Sequence, residues 1–428
     1  MRRLLPPALL LTLLFPSAAN AAEVLRARID GVIHGITAEY VRRAVDRADS
    51  DHADLLVITI NTPGGLVSST EEIIESLLAS KAPVVLFVAP SGARAASAGF
   101  YITLSADVAA MAPGTRIGAA HPVMAFGENN KKDIEMQKAE NDLAAQARSI
   151  AQNRHRNVEV AEKIVRDSVS LTEKEALDQH LIDLVCRDMD DLLKQLDGRT
   201  VTRFDGSKVV LHLEGAVVKD FEMTTRQKIL AAVSDPTVAF ILFILGLLGL
   251  YVEFTHPGMI LPGVVGALSL LLFAISTQIL PLNLLGLLLI GLGIGLFVLE
   301  IKVTSYGLLT IGGVVAITFG FLTLFEGPVP EMRLPLSAVL PVSLTVAAIM
   351  AFLTHRVIRS HFWKVATGAE GIQGEIGTAL TEVAATGKVF VHGEYWNATS
   401  REPIAAGQRV RVRSVKDLTI EVERVEPT

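Results

Sequence analysis

The chain of 428 residues contains one cysteine, Cys186, so it can form no intramolecular disulfide and no cysteine-ligated metal cluster. Charge is also sparse: 20% of residues are Asp, Glu, Lys or Arg, and the net charge is −6. No strong basic run is present, so there is no electrostatic reason to expect a nucleic-acid partner. The scarcity is sharpest in the second half. Five apolar segments, near 237–254, 258–280, 283–301, 306–326 and 335–354, have interiors without Lys, Arg or Asp, while Glu253, Glu300 and Lys302 sit at segment ends. Each is close to the ~20 residues needed to cross a bilayer. With 50% hydrophobic residues and a mean hydropathy of +0.44, the chain is too apolar for an ordinary soluble protein. The first two segments are joined only by "THPG", so the pattern allows four or five spans.

The N-terminus reads "MRRLLPPALLLTLLFPSAANAAEV". Arg2 and Arg3 precede an apolar stretch, then small residues with an A-x-A site at Ala19–Asn20–Ala21, which is the pattern of a secretory signal peptide over residues 1–21. Residues 23–235 are then expected to be exported. "HRVIRSHFWK", with Arg356, Arg359 and Lys364, follows the last apolar segment and marks a cytoplasmic flank. Counting back through five spans also puts residues 23–235 outside. Arg226 and Lys228, just before the first span, argue the other way, but the signal peptide outweighs them. The expected location is the cell (inner) membrane, multi-pass, with the N-terminal domain periplasmic or extracellular.

Between residues 23 and about 200, strand-like and helix-like runs alternate. "DLLVITINTPGG" gives a buried strand from Leu55 to Ile60, and "PVVLFV" gives another. "VSSTEEIIESLLASK" has helical spacing, with Ser68 or Ser69 as N-cap and Ile73, Ile74, Leu77 and Leu78 facing inward. "FYITLSADVAAMAP" reads as a helix giving way to a third strand. Such alternation implies βαβ units and a parallel sheet. Helical patterns follow over 134–154 and in "SLTEKEALDQHLID", where Ser170 or Thr172 with Glu175 signals a helix start. Residues 200–235 read as a polar, strand-containing connector. Residues 365–428 alternate in short strands split by glycine turns, which fits a small closed barrel of the OB type. Its Phe390, Tyr395 and Trp396 are too few, and its acidic residues too many, for a base-stacking groove. A protein-interaction or spacer role fits better.

Three features of the exported region carry chemistry. "INTPGG" (Asn61 to Gly65) follows a buried strand, and Gly64 and Gly65 there could turn backbone N–H groups into open space, as an oxyanion hole requires. It is equally a plain turn signal. Ser97, in "GARAASAGFYI", begins a helix that would expose its hydroxyl near the helix N-terminus, with Ala98 N–H as a second donor. The same "ASAG" could serve only close packing. A serine nucleophile needs a base. His121 in "GAAHPV" requires no pKa shift near neutral pH, whereas Lys138 in "EMQKAEND" must lose its charge by desolvation. Lys131 and Lys132 lie in a polar loop that would keep them charged. The residues alone leave these alternatives open.

Taken in order, "INTPGG", "GARAASAGFYI" and "ADVAAMAPGTRIGAAHPV" resemble the Clp protease/crotonase superfamily. The exported domain, multi-span region and terminal barrel together resemble the long form of the NfeD family, membrane-bound serine proteases related to signal peptide peptidase A. The resemblance covers nearly the whole chain after the signal peptide. It implies an α/β Clp/crotonase-like domain, an α-helical membrane bundle over 237–354 and an OB-type barrel. It also implies a Ser–Lys dyad: Ser97 as nucleophile, and Lys138 as base because "KAENDLAAQARSIAQNRHRN" matches the family's lysine-bearing helix. His121 is the alternative base, at the Clp histidine spacing. Neither metal nor cofactor is implied. The expected partners are membrane lipid and a protein substrate, such as an apolar segment of a stomatin-like protein, and the expected assembly is a homodimer or larger. A non-catalytic scaffold for stomatin- or flotillin-type proteins is the competing expectation. An acyl-CoA enzyme of the crotonase type fits an exported domain poorly.

Overall fold

The computed structural model describes residues 21–123, 134–256, 258–303, 305, 307–327, 329–361 and 369–425. The expected signal peptide, all but its last residue, and Lys131 and Lys132 lie outside these. The chain divides into two compact units, Met1–Gly295 with Gly312–Leu344, and Leu296–Ile311 with Thr345–Thr428.

The first unit opens with β1 (Glu23–Asp30), α1 (Gly35–Asp51), β2 (Leu55–Asn61), α2 (Val67–Ala79) and β3 (Val84–Val88). Next come β4 (Arg94–Ala96), α3 (Ala98–Ser105), β5 (Val108–Met111), β6 (Arg116–Gly118), α4 (Ile134–Asn153) and α5 (Val158–Arg166). The domain finishes with β7 (Ser170–Thr172), α6 (Glu173–Asp178), β8 (Leu184–Val185), α7 (Met189–Leu196), β9 (Thr200–Thr202), β10 (Lys208–Val210), β11 (Val217–Asp220) and α8 (Thr225–Val233).

Six strands form one parallel sheet in the order β11-β1-β2-β3-β5-β8. Every residue of β3 is buried, because apolar layers cover both faces. Leu56, Ile58 and Leu86 pack into one layer with Ile73 and Leu77 of α2; Val57, Val85 and Phe87 pack into the other with Leu192 and Leu196 of α7. Burying each such side chain stabilises by about 1.5–3 kcal/mol. A smaller sheet, β4-β6-β7, stands apart from the six strands and carries the serine.

The fold departs from the sequence reading at two places. The N-cap of α2 is Leu66, with no side-chain cap, and Ser68 and Ser69 lie inside the helix. The chain is already fixed there: Leu66 N–H donates to Ile33 O at 2.9 Å, so backbone pairing sets the start of the helix. Residues 200–235 are also more than a connector, since β11 pairs with β1 as an edge strand of the main sheet. Three of its four residues are exposed, which removes the apolar pattern that would have marked it. At α6, in contrast, Thr172 and Glu175 form the expected capping box.

Five apolar helices follow: α9 (Pro236–Thr255), α10 (Ile260–Ser276), α11 (Leu284–Lys302), α12 (Leu308–Leu322) and α13 (Leu336–His361). Two helical stretches, Pro236–Thr255 and Pro330–Phe352, are long and apolar enough to cross a membrane; Ile260–Ser276, Leu284–Glu300 and Leu308–Leu322 are shorter. Asp235 starts α9 by accepting from Thr237 and Val238 N–H. α9 and α10 approach until a Cβ on Gly249 would lie 2.5 Å from Pro262 O, which is why small residues are needed there.

In the second unit, Glu300 closes the turn after α11 by accepting from Ser305 Oγ (2.6 Å), Gly307 N–H (3.1 Å) and Thr310 N–H (3.0 Å). After α14 (Ala369–Ile372), β12 (Ile376–Ala379), β13 (Gly387–Val391), β14 (Glu394–Thr399), β15 (Arg409–Lys416) and β16 (Thr419–Arg424) form a closed barrel in the order β12-β13-β14-β16-β15. Val389, Val391, Val410, Val412, Ile420 and Val422 fill it, as the alternation predicts for an OB-type barrel.

Candidate active site

Ser97 sits between β4 and α3. Its position is fixed by backbone hydrogen bonds that zip the "INTPGG" segment to β4. Thr62 N–H donates to Arg94 O at 2.7 Å, and Ala96 N–H donates to Thr62 O at 3.1 Å. Ser97 N–H donates to Gly118 O, at the end of β6, at 2.9 Å. The serine itself adopts φ 52° and ψ −114°, an unfavourable region for a residue with a Cβ, where strain runs to about 1–3 kcal/mol. The sharp strand-to-helix turn needs that geometry, and the surrounding bonds hold it.

Gly64 and Gly65 do different things. Gly64 (φ 121°) stacks against the serine: a Cβ there would lie 2.7 Å from Ser97 Cβ and 3.1 Å from Ser97 Oγ. Its N–H is already bound to Thr62 Oγ1 at 3.1 Å, so it is not a free donor and its part is steric. Among the described residues, the N–H groups of Gly65 and Ala98 have no hydrogen-bond acceptor. Both residues line the cleft that holds Ser97. Ala98 is the first residue of α3, where N–H groups have no intrahelical partner and the helix dipole is positive.

α3 is buried along its whole length. Its far end is gripped by Arg156, itself 6% exposed, whose guanidinium donates to the carbonyls of Thr103, Leu104 and Ala106 and to Asp183. A cation at the C-terminus complements the helix dipole and keeps the serine-bearing end from shifting along its axis.

The cleft has a volume of about 380 Å³, and Leu66, Val67, Tyr101, Pro122, Val123 and Leu143 give it an apolar lining. Tyr101 OH donates to Ala120 O at 3.4 Å, and burial pushes its phenol well above the usual range. His121 also lines the cleft. Its Nδ1 lies 3.2 Å from Val165 O, which can only accept, so in the neutral imidazole Nε2 is the acceptor nitrogen. Lys138 lies near the start of α4, exposed, and is not part of the lining, whereas Leu143 and Gln146 of the same helix are. The described residues therefore bring together Ser97, Gly65, Ala98 and His121, but not Lys138. The positioning roles of Thr62, Gly118 and Arg156 left no signal in the sequence, because they rest on hydrogen bonds between distant segments, through the backbone for Thr62 and Gly118 and through the guanidinium for Arg156. Tyr101, one turn past Ser97 on α3, was open to helical spacing.

The three regions match known domains. Residues 25–200 match the NfeD1b N-terminal domain, 237–356 the NfeD integral membrane domain, and 369–424 the NfeD-like C-terminal, partner-binding domain. The membrane-bound protease PH1510 of Pyrococcus horikoshii is 34% identical over 436 residues, which span 99% of this chain and 98% of that protein. The chain belongs to the NfeD family. The membrane protein NfeD1b of Bacillus subtilis is 28% identical, over 91% of this NfeD chain and 90% of its own. Among solved structures, the 1510-N membrane protease specific for a stomatin homolog, from Pyrococcus horikoshii, is 32% identical and covers 50% of this chain and 99% of that one, with a TM-score of 0.44. The NfeD chain is an integral membrane protein and a serine protease.

Proposed function

We propose that this NfeD protein is an endopeptidase in which Ser97 attacks a peptide carbonyl of an apolar segment in a membrane protein. Neutral Lys138 takes the serine proton and returns it to the leaving amine as the C–N bond breaks, the N–H groups of Gly65 and Ala98 receive the oxyanion, and water then hydrolyses the acyl-enzyme to free Ser97. The single observation that carries this reading is the strained turn at Ser97, with two N–H groups beside it in an apolar cleft that have no acceptor among the described residues. Lys138 precedes the cleft-lining Leu143 by five residues, about 7.5 Å along the helix axis and about 140° around it, so the first turns of α4 must rotate as well as approach to present it to the serine. The substrate is a stomatin-like membrane protein, the class named for the Pyrococcus protease. The protease domain faces the periplasm or exterior and the barrel faces the cytoplasm, with five spans between them. The working assembly is a homodimer or larger.

His121 supports a second reading of the base, since it already lines the cleft and no partner among the described residues engages its Nε2. Cleavage of an apolar peptide by the full chain, in detergent, separates the two. With a lysine base, Ser97→Ala and Lys138→Ala each abolish turnover, His121→Ala does not, and the rate climbs from pH 6 to pH 9 because protonated lysine cannot accept a proton. Loss in His121→Ala but not Lys138→Ala, with a rate flat down to about pH 6, would transfer the role to histidine. Full biological rescue by Ser97→Ala would instead favour the scaffold.

A further inference from the structure

We propose that the membrane region supplies part of the substrate cleft: the loop following α12 sets one wall of an apolar subsite beside Ser97. The inference rests on the Ser97 reading above and deepens it. Val329, on that loop, lines the same cleft as Ser97 and is 8% exposed. Two residues on, Glu331 forms an ion pair with Arg94. Arg94 opens β4, three residues before the serine, and also lines the cleft. One loop thus meets the site twice, through an aliphatic side chain in the cleft and a carboxylate on the strand that presents the nucleophile.

The loop is built to hold that position. Met332 N–H donates to Val329 O at 3.0 Å and Arg333 N–H to Pro330 O at 3.0 Å, closing a turn around Val329. Met332 is buried against Gly327, where a Cβ would lie 2.4 Å from Met332 Cβ. Upstream, Glu326 N–H donates to Pro281 O at 3.1 Å, and Asn283 Nδ2 donates to Glu326 Oε2 at 3.0 Å. Val329 is therefore a fixed wall in the cleft it shares with Leu66, Val67 and Val123, and the space these four residues line takes an apolar side chain of an extended peptide. A charged side chain set among these four apolar residues would lose its hydration without a partner from any of them.

The occupant is the substrate peptide, and binding can be read without turnover. The Ser97→Ala full chain in detergent is titrated with fluorescent octapeptides that differ only in one central residue, Leu, Phe or Lys. Val329→Ala on this background weakens the Leu and Phe peptides roughly tenfold, the scale of a lost aliphatic contact in an apolar pocket, and leaves the Lys peptide unchanged. Glu331→Arg and Arg94→Glu each weaken the same two peptides, and the charge-swapped pair restores them to within about twofold. Equal effects on all three peptides, no effect, or tighter binding of all three after Val329→Ala would overturn the wall assignment; the last would make the loop a plug. If Ser97-dependent cleavage occurs but preference ignores Val329, the subsite fails alone. If the wild-type chain cuts none of the peptides while the binding preference persists, the Ser97 reading fails and the subsite stands.

Discussion

Gly64→Ala tests the geometry around Ser97 more directly than removal of the serine itself. The new methyl would sit 2.7 Å from Ser97 Cβ, roughly 1 Å short of the separation of about 3.5–4.0 Å at which carbon atoms attract. It would also place an L side chain at φ 121°, at a further cost of about 1–3 kcal/mol. Ser97 cannot retreat freely, because its N–H is held by Gly118 O and α3 is held at its other end by Arg156. The variant should lose about 3 kcal/mol of stability, and its folded fraction should lose at least about 100-fold in kcat/KM, since a displacement near 1 Å of a reacting group costs that much. Gly114→Ala is the matched control. It has φ 76° with nothing within 4 Å of a Cβ, so it should lose about 1 kcal/mol and keep full activity per folded molecule. Thermal unfolding and peptide cleavage by the full chain in detergent give both readings. Pairing Gly64→Ala with Ser97→Gly should recover more than 1 kcal/mol, because the struck Cβ is gone. Activity of Gly64→Ala within threefold of Gly114→Ala would refute the argument that this glycine positions the nucleophile.

Arg156→Met should cost about 3–5 kcal/mol, because Asp183 loses its cation and the carbonyls of Thr103, Leu104 and Ala106 lose the guanidinium; urea unfolding of the full chain in detergent, with no loss beyond 1 kcal/mol, would contradict that role. Cys186 should resist thiol reagents at neutral pH until the domain unfolds. Burial pushes its thiol up to about 12, and the reactive form is the thiolate. A folded pKa raised above the unfolded value of 9.0 means that this stabilising contribution is complete below about pH 9 and is lost as pH rises toward 12. Prompt labelling of the folded protein at pH 7 would show the thiol is not enclosed.

The central strands were legible in the sequence because burial on both faces writes continuous apolar runs, as at Leu55–Ile60 and Val84–Val88. The barrel was legible for the opposite reason, since Val389 and Val391, or Val410 and Val412, alternate with exposed residues. β11 left no such trace, because as an exposed edge strand it is held by backbone pairing to β1. At the site, Ser97, Gly65 and Ala98 followed from a serine at a helix start and paired glycines after a strand. The separate role of Gly64 did not, since it depends on the approach of Ser97 from 33 residues further along. Nor did Val329, which reaches the cleft from a loop between two apolar helices and carries no local pattern of a binding residue.

The terminal barrel is closed, and each of its five strands has a neighbour on both sides. A partner therefore cannot dock by lending it a strand, the route open to any sheet with a free edge. Whatever this domain recognises, it must recognise with side chains and turns. Substitutions of exposed residues such as Tyr395 and Leu418 can then alter the choice of partner without touching the hydrogen bonds that keep the barrel shut.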